Sequence, residues 1–228
     1  MYICASATLA AQTADALYAD RSNLASAQLA AEKWRAALRS NRQDFDAAWK
    51  LARADHWLGG HAPESERRRF LEEGIETGRK AIALGPNRPE GHFWTAANMG
   101  ALAESFGLRA GLKYRRPIKD ELETVLRIDP AFGEGSADRA LGRWYFKVPR
   151  LFGGSLKLAE EHLRASLKYN PDSTASHFFL AEVLMESGRK DEARAELQKV
   201  LDAPFDRDWT PEDRDFKEKA RNLLATMK

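Results

Sequence analysis

Residues 174–203 define the repeating unit of the chain and read TASHFFLAEVLMESGRKDEARAELQKVLDA. In the first half, apolar residues recur at intervals of three and four, the spacing of one face of an α-helix. Gly188 then stands where a helix C-terminus favours a residue that accepts positive φ. Acidic residues from Asp191 open a second amphipathic segment, and Ala181 and Ala193 are small enough for two antiparallel helices to approach closely. The stretch therefore predicts a helical hairpin of about 34 residues.

This hairpin cannot bury its apolar faces alone, so it predicts neighbours stacked against it. Upstream, apolar helical segments alternate with helix-ending residues. These terminators recur about every 33 to 45 residues, at Asn41, Pro86, Pro130, Pro171 and Pro204. Because no stretch alternates with a period of two, almost no sheet is expected. We predict an all-α fold, a right-handed α-α solenoid of about five hairpins that ends in a C-terminal capping helix.

Three segments lengthen the earlier repeats relative to the last one. They lie between the two helices of a hairpin, at residues 61–69, 108–116 and 147–155. We expect them to form loops, so that the second helices would start near Phe70, Pro117 and Leu156, although Pro63 in the first segment also suits a helix start. The Gly153-Gly154-Ser155 run within the third segment predicts a tight turn, with Ser155 as a helix N-cap. Loops of this length could fold over the inner face of a solenoid and roof a cavity.

The N-terminal residues 1–12, MYICASATLAAQ, are apolar and rich in small residues. They read either as the remnant of a secretory signal peptide or as the start of the first helix. The first interpretation predicts a periplasmic or secreted protein, and the second allows a cytoplasmic one. Residues 13–228 are predicted to form a single solenoid domain.

The composition of the 228 residues narrows the classes of function. A content of 31% charged and 43% hydrophobic residues is that of a soluble globular chain. The net charge of +2 comes from mixed acids and bases, so the chain lacks the basic field that nucleic-acid binding requires. The single cysteine, Cys4, excludes an internal disulfide and a multi-cysteine zinc site. No apolar run is long enough for an integral membrane span.

The chain resembles the tetratricopeptide repeat (TPR) superfamily over essentially its whole length. The small residues Ala181, Gly188 and Ala193 and the terminal Asn170-Pro171 match the pattern of that repeat. The resemblance implies a stack of helical hairpins whose first helices line a concave binding surface.

The lengthened repeats resemble, more narrowly, the T component of tripartite ATP-independent periplasmic (TRAP) transporters. Their blocks are also similar to those of the regulator-of-microtubule-dynamics proteins of animals. The T-component resemblance implies a bacterial periplasmic partner of a solute-binding protein. The residues that carry these resemblances are Pro89-Glu90-Gly91, Phe93-Trp94, Gly100, Gly107, Gly111, Arg139-Ala140-Leu141-Gly142, Tyr145, Pro149, Gly153-Gly154-Ser155, Pro204 and Trp209-Thr210-Pro211-Glu212.

No residue pattern points to catalysis, a metal or a cofactor. The histidines His56, His61, His92, His162 and His177 form no HExxH or other metal pair. His92 and His177 occupy equivalent places early in their helices, and we interpret both as hydrogen-bonded, partly buried side chains. The glycine pair before Ser155 lacks the later glycine and lysine of a phosphate loop, and no nucleophile elbow is present. We therefore predict a protein that is not an enzyme.

The first helices of the hairpins carry side chains that their own cores do not require. This candidate partner-binding face mixes aromatic residues with arginines, as recognition surfaces often do. Alternatively, the aromatic side chains pack against the inserted loops. The predicted residues are Trp49, Arg53, His56, Glu90, Phe93, Arg139, Arg143, Phe146, Phe178, Glu182 and Met185.

Arg139 and Arg143 lie four residues apart, hence on one face of a helix. Asp138 and Glu182 are the candidates to neutralise them. Arginines left without an acidic partner would suit a carboxylate, because guanidinium groups bind carboxylates with two parallel hydrogen bonds. We hypothesise that an acidic segment of a partner protein docks here.

Two classes of function follow from the sequence. The first is a non-catalytic scaffold that binds a protein or peptide partner in its concave groove, as an accessory to a periplasmic solute-uptake system. A small apolar or carboxylate ligand, or a second copy of the chain, would also fit such a face. The second is a small-molecule carrier or enzyme whose cavity is roofed by the inserted loops.

Overall fold

A computed structural model describes residues 12–227, apart from the side chains of Leu108 and Arg109. Within this range the chain forms eleven α-helices, one 3₁₀ turn and no strand, which confirms the all-α prediction. The helices are α1 (Ala14–Ala19), α2 (Leu24–Ser40), α3 (Phe45–His61), α4 (Glu64–Leu84), α5 (Pro89–Ser105), α6 (Leu108–Ile128), α7 (Phe132–Lys147), α8 (Leu156–Ser166), α9 (Thr174–Glu186), α10 (Lys190–Asp202) and α11 (Thr210–Thr226). Cys4 and the predicted signal remnant of residues 1–12, apart from Gln12, lie outside the described residues.

Local capping explains where several helices begin. A side-chain oxygen of the N-cap residue accepts a hydrogen bond from a backbone N–H in the first turn, which satisfies a donor that the helix itself leaves open. The caps of this kind are Thr13, Asn23, Asp44, Ser155 and Ser173. At the other end of α9, Gly188 adopts a φ of +77°, as the sequence predicted, and the Arg189 N–H donates to the Leu184 carbonyl at 2.9 Å.

The chain divides into two compact units, and the first extends to Ile128. It contains the hairpins α1–α2, α3–α4 and α5–α6, each packed against the next. Two glycines of α4 allow α5 to approach closely, because a Cβ on Gly78 would lie 2.3 Å from Thr95 Oγ1 and one on Gly74 would lie 2.4 Å from Asn98 Oδ1. Asn98 in turn donates to the Ala52 carbonyl at 2.9 Å and so joins α5 to α3.

The second unit begins at Asp129 and contains the hairpins α7–α8 and α9–α10, followed by α11. Leu163, Leu180 and Leu197 are fully buried in its core. α11 packs on both helices of the last hairpin, as expected of a capping helix. Its Lys217 donates to the carbonyls of Val200, Leu201 and Ala203 and thereby caps the end of α10.

The first insertion is helical rather than a loop over residues 61–69, and the helix begins directly after Pro63, the alternative start in the sequence. α4 starts at Glu64, and only Ala62 and Pro63 separate it from α3. Acidic residues in the first turn favour this earlier start. Ion pairs between residues on successive helical turns, such as Arg68 with Glu72 at 2.9 Å, stabilise the exposed N-terminal turns of α4.

The second insertion is helical as well, and the predicted start near Pro117 is wrong. α6 runs from Leu108 through Pro117, although proline removes one backbone hydrogen bond of a helix. The stripe of buried side chains crosses the proline, because Tyr114 lies before it and Ile118 and Leu122 lie after it on the same face. The packing of this continuous stripe keeps the segment helical.

The third insertion is a loop, as predicted. Residues 148–155 connect α7 to α8 through the 3₁₀ turn, and Ser155 Oγ accepts from the Leu158 N–H at 3.3 Å. The turn is tight, since a Cβ on Gly154 would lie 1.6 Å from the Val148 carbonyl oxygen. No helix in residues 12–227 combines the length and the apolarity needed to cross a membrane.

Candidate partner-binding faces

All eleven predicted binding residues lie on the first helices of hairpins, as the sequence indicated. Trp49, Arg53 and His56 are on α3, and Glu90 and Phe93 are on α5, all in the first unit. The other six are on α7 and α9 in the second unit. The two groups are therefore described separately.

In the first unit, Arg53 contacts side chains of the same unit. Its guanidinium carbon lies 4.1 Å from the ring centre of Tyr18 and 5.0 Å from that of Trp49. Asp15 lies 3.9 Å from the same group. These cation–π and ionic contacts hold α1 against α3. The side chain of Arg53 thus has a structural role in this unit.

The aromatic residues of this unit also pack against one another. Phe93 is 8% exposed and meets Trp94 edge to face at 5.0 Å. The His56 ring lies 5.7 Å from that of Trp94. Burial lowers the pKa of His56 to about 4, and the nearby His61 adds to the shift, so His56 is neutral at pH 7. In this unit the aromatic side chains belong to the packing between helices.

Glu90 and Trp49 complete the face of the first unit. Glu90 Oε1 pairs with Arg88 at 2.7 Å, whereas its buried Oε2 accepts no hydrogen bond from a described residue. Trp49 donates its indole N–H to Asp46 at 3.0 Å. Both side chains are half-buried.

In the second unit, the ion pair of Arg143 with Glu182 joins α7 to α9, which confirms the predicted partner of Arg143. The Arg143 guanidinium also lies 4.6 Å from the ring centre of Phe179. The second predicted neutraliser is wrong, because Asp138 hydrogen-bonds to His162 Nδ1 at 2.7 Å. The Asp138 side chain points from α7 towards α8. This direction is set by the packing of the two helices.

Arg139 remains without an acidic partner. The side chain is half-buried, and it makes no ion pair or hydrogen bond with a described residue. Burial lowers its pKa to about 10, although the charge of Glu134 opposes the shift. A guanidinium group with this pKa is still charged at pH 7 and is poorly compensated.

Apolar side chains accompany Arg139 on the first helices of this unit. Phe178 is 9% exposed and packs on Phe216 of α11 at 5.6 Å. Phe146 and Met185 are half-buried, and the Lys147 ammonium lies 5.2 Å from the Phe146 ring. The face therefore offers partly exposed apolar contacts together with one uncompensated arginine.

Three buried carboxylates were not singled out from the sequence, and one of them, Asp213, accepts hydrogen bonds from Thr174 Oγ1 and the Asp206 N–H. Glu196 contacts His177 within the last hairpin, and Asp55 is fully buried at the floor of a cavity in the first unit. Asp55 could have been found from the sequence. It follows the core residue Leu51 by one helical turn, so a charged residue occupies an apolar position of α3. Among the described residues, no group of three or more His, Cys, Asp and Glu side chains could hold a metal.

Comparison with known families agrees with this architecture. The family described as "Regulator of microtubule dynamics protein 1-3" matches residues 10–152, and a tetratricopeptide repeat family matches residues 154–210. Regulator of microtubule dynamics protein 1 of Caenorhabditis elegans is 24% identical over 187 residues, which are 73% of this chain and 81% of that protein.

Two further relatives bear on extent and fold. The Bos taurus Regulator of microtubule dynamics protein 1 is 23% identical over 112 residues, 48% of this chain but only 34% of the bovine protein. The crystal structure of a thermophilic TPR protein from Thermus thermophilus superposes with a TM-score of 0.69 at 24% identity, covering 92% of this chain and 96% of that one. This likeness shows that the fold is of the TPR type.

Proposed function

Because the chain belongs to the Regulator of microtubule dynamics protein 1-3 family and carries a tetratricopeptide repeat in residues 154–210, we propose that it is a non-catalytic scaffold that binds a protein or peptide partner. The first helices α7 and α9 of the second unit form the docking face. A carboxylate-bearing segment of the partner binds at Arg139.

The observation that carries this proposal is the difference between two arginines on one helix face. Arg143 is neutralised by Glu182, whereas Arg139 forms no ion pair with a described residue and burial lowers its pKa to about 10, against the opposing charge of Glu134. A carboxylate from a partner would supply the missing charge and accept two parallel hydrogen bonds. The half-buried Phe146 and Met185 would add apolar contact to the same partner.

The test is quantitative capture of partners from the cells that make the protein, followed by mass spectrometry. Arg139→Ala should weaken the captured complex at least about tenfold, since a charged hydrogen bond contributes about 1.5–3 kcal/mol. Arg150→Ala is the matched control, because this exposed arginine lies in the loop after α7. Equal capture by well-folded wild-type and Arg139→Ala proteins would contradict the proposal.

The identity of the captured protein separates the two named resemblances. The relatives are named as regulators of microtubule dynamics, so a cytoskeletal partner would extend that role to this chain. A solute-binding protein would instead support the uptake accessory that the T-component resemblance implied, and with it the predicted periplasmic location. The family match favours the first of these partners.

The alternative of a carrier or enzyme receives less support. It requires a cavity roofed by inserted loops, but the first two insertions extend α4 and α6 as helix. The segments that join those helices to their partners are only Ala62–Pro63 and Phe106–Gly107. The scaffold proposal does not require a cavity covered by inserted loops.

A further inference from the structure

A cavity of about 530 Å³ in the first unit has a buried carboxylate at its floor. It lies between α2, α3 and α4. Asp55 of α3 is 0% exposed, and neither of its carboxylate oxygens accepts a hydrogen bond from a described residue. The nearest cation is Arg35, whose Nη2 is 3.6 Å from Asp55 Oδ1 and already donates to Glu73 at 2.9 Å. Buried polar groups are normally hydrogen-bonded, so Asp55 lacks a donor.

The rest of the cavity has a different character. Leu38 and Leu51 line it with apolar surface, and three basic side chains, Arg39, Arg42 and Lys80, line it together with Glu76 and Thr77 of α4. Arg39, Arg42 and Glu76 are exposed, whereas Lys80 is half-buried. None of the three basic side chains forms an ion pair with a described residue. We call them the basic cluster.

The basic cluster is offset from the floor along the helices. Arg39 follows Arg35 by one turn of α2, and Lys80 follows Glu73 by two turns of α4. At a rise of about 1.5 Å per residue, these separations are about 6 and 10 Å. The cavity thus offers a carboxyl group without a hydrogen bond, then an apolar stretch, then cations that form no ion pair with a described residue, although Glu76 lies in the same lining.

We propose that this cavity binds an aliphatic amino carboxylate, whose ammonium group donates to Asp55 and whose carboxylate group is held by the basic cluster. Lysine has this form, because a flexible four-carbon stem separates its ammonium group from its α-carbon. The stem would lie against Leu38 and Leu51. A free amino acid and the C-terminal lysine of a polypeptide present the same chemistry.

The two charged ends of such a ligand would bind Asp55, which lacks a hydrogen-bond donor, and the basic cluster, which forms no ion pair within the described part of the chain. The ammonium group has three donors, enough for the two oxygens of Asp55 and one oxygen of Glu73. The basic cluster gains an anion at the other end, and charge-assisted hydrogen bonds of this kind are stronger than neutral ones. A ligand with only one of the two charged groups would leave the other end of the cavity unsatisfied.

The protonation of Asp55 supplies an independent readout. Burial raises its pKa to about 8; Arg35 and Arg69 oppose the shift and Glu73 adds to it. Asp55 is therefore largely protonated at pH 7 in the unliganded protein. Because an adjacent ammonium group favours the ionised form, binding at pH 7 should release a proton to the buffer.

The experiment is isothermal titration calorimetry of the full chain at pH 7 in two buffers of different ionisation enthalpy. The probes are ε-aminocaproate and a short peptide that ends in lysine. Hexylamine and caproate, which each lack one charged group, are the matched controls, as is the same peptide with an amidated C-terminus. We expect ε-aminocaproate to bind with proton release and the single-charge controls to bind at least about tenfold more weakly.

Variants locate the site. Asp55→Asn keeps the shape of the protonated side chain, so it should fold, abolish the proton release and weaken ε-aminocaproate binding at least about tenfold. Lys80→Ala should weaken binding of the same probe, whereas Arg79→Ala, an exposed neighbour that does not line the cavity, should not. Binding of ε-aminocaproate but not of the peptide assigns the site to a free amino acid, and the reverse assigns it to a polypeptide terminus.

Two results would overturn the proposal. One is the absence of binding by both ε-aminocaproate and the lysine-terminated peptide. The other is binding that Asp55→Asn leaves unchanged, since the ammonium group would then lie elsewhere. Neither result bears on the partner-binding face of the second unit, because that proposal depends on Arg139.

Discussion

His177 makes two hydrogen bonds that fix the start of the last hairpin. Its Nδ1 lies 2.5 Å from Glu196 Oε2 and its Nε2 lies 2.7 Å from the Pro171 carbonyl oxygen. His92 makes the corresponding contacts with Glu121 and the Pro86 carbonyl, at 2.5 and 3.0 Å. The interpretation of both histidines as hydrogen-bonded residues is therefore confirmed, and both are buried rather than partly buried. Each ties the turn before a hairpin to the second helix of that hairpin.

Replacing His177 should destabilise the second unit. His177→Leu leaves the buried Glu196 carboxylate with only Lys199 as a partner, so we expect a loss of about 1.5–3 kcal/mol in the free energy of unfolding. Urea denaturation followed by circular dichroism measures it. Adding Glu196→Leu should restore part of the loss, because the uncompensated buried charge is removed. A double variant no more stable than the single one would argue against the ion pair as the cause.

The same contact predicts a dependence of stability on pH. Burial raises the pKa of Glu196, but hydrogen bonds from His177 and Lys199 outweigh that effect, so the pKa is lowered overall. A carboxyl group with a lowered pKa stabilises the fold above its unfolded value of about 4.3. That stability is lost as the pH falls through the folded pKa. The free energy of unfolding of the wild type should therefore exceed that of Glu196→Gln above about pH 4.3, and this excess should disappear at lower pH. An excess that stays constant down to lower pH would contradict the prediction.

The last hairpin depends on close contact between α9 and α10. Ala181 and Ala193 are both 0% exposed, one on each helix. We expect Ala193→Leu to overpack this contact and to cost about 1–3 kcal/mol. Ala195→Leu, on the exposed side of α10, is the matched control and should change stability little. Equal unfolding midpoints for the two variants would show that the buried face of α10 lies elsewhere.

The long second helices α4 and α6 show how an insertion can be absorbed. In each, residues expected in a loop continue the helix towards its N-terminus. Where an apolar stripe continues across the inserted residues, as from Tyr114 to Ile118, the segment gains buried area as helix and would lose it as a loop. The segment between α7 and α8 lacks such a stripe, and Leu151 at its tip is 89% exposed.

For the whole molecule, the expected far-ultraviolet circular dichroism spectrum is that of a predominantly helical protein. More than about 60% helix is predicted, well above the usual third of a globular domain. The eleven helices within residues 12–227 agree with this expectation. A spectrum dominated by sheet would contradict the fold.

The hairpins could be read from the chain because helix periodicity and helix termination are local. The apolar spacing in residues 174–203, the positive φ at Gly188 and the cap at Ser155 each depend on neighbours within a few residues. The pairing of Arg143 with Glu182 was also predictable, since equivalent positions of successive repeats lie side by side.

Other features depend on how separate helices rotate and pack. The sequence placed Asp138 near Arg139, yet packing turns the Asp138 carboxylate to His162, and Arg139 forms no ion pair with a described residue. Asp55 occupies an apolar position of its helix, and only the cavity between α2 and α4 makes its missing hydrogen bonds evident. The reason is physical: a local pattern sets which face of a helix is buried, whereas the partner of each buried polar group is set by side chains distant in sequence.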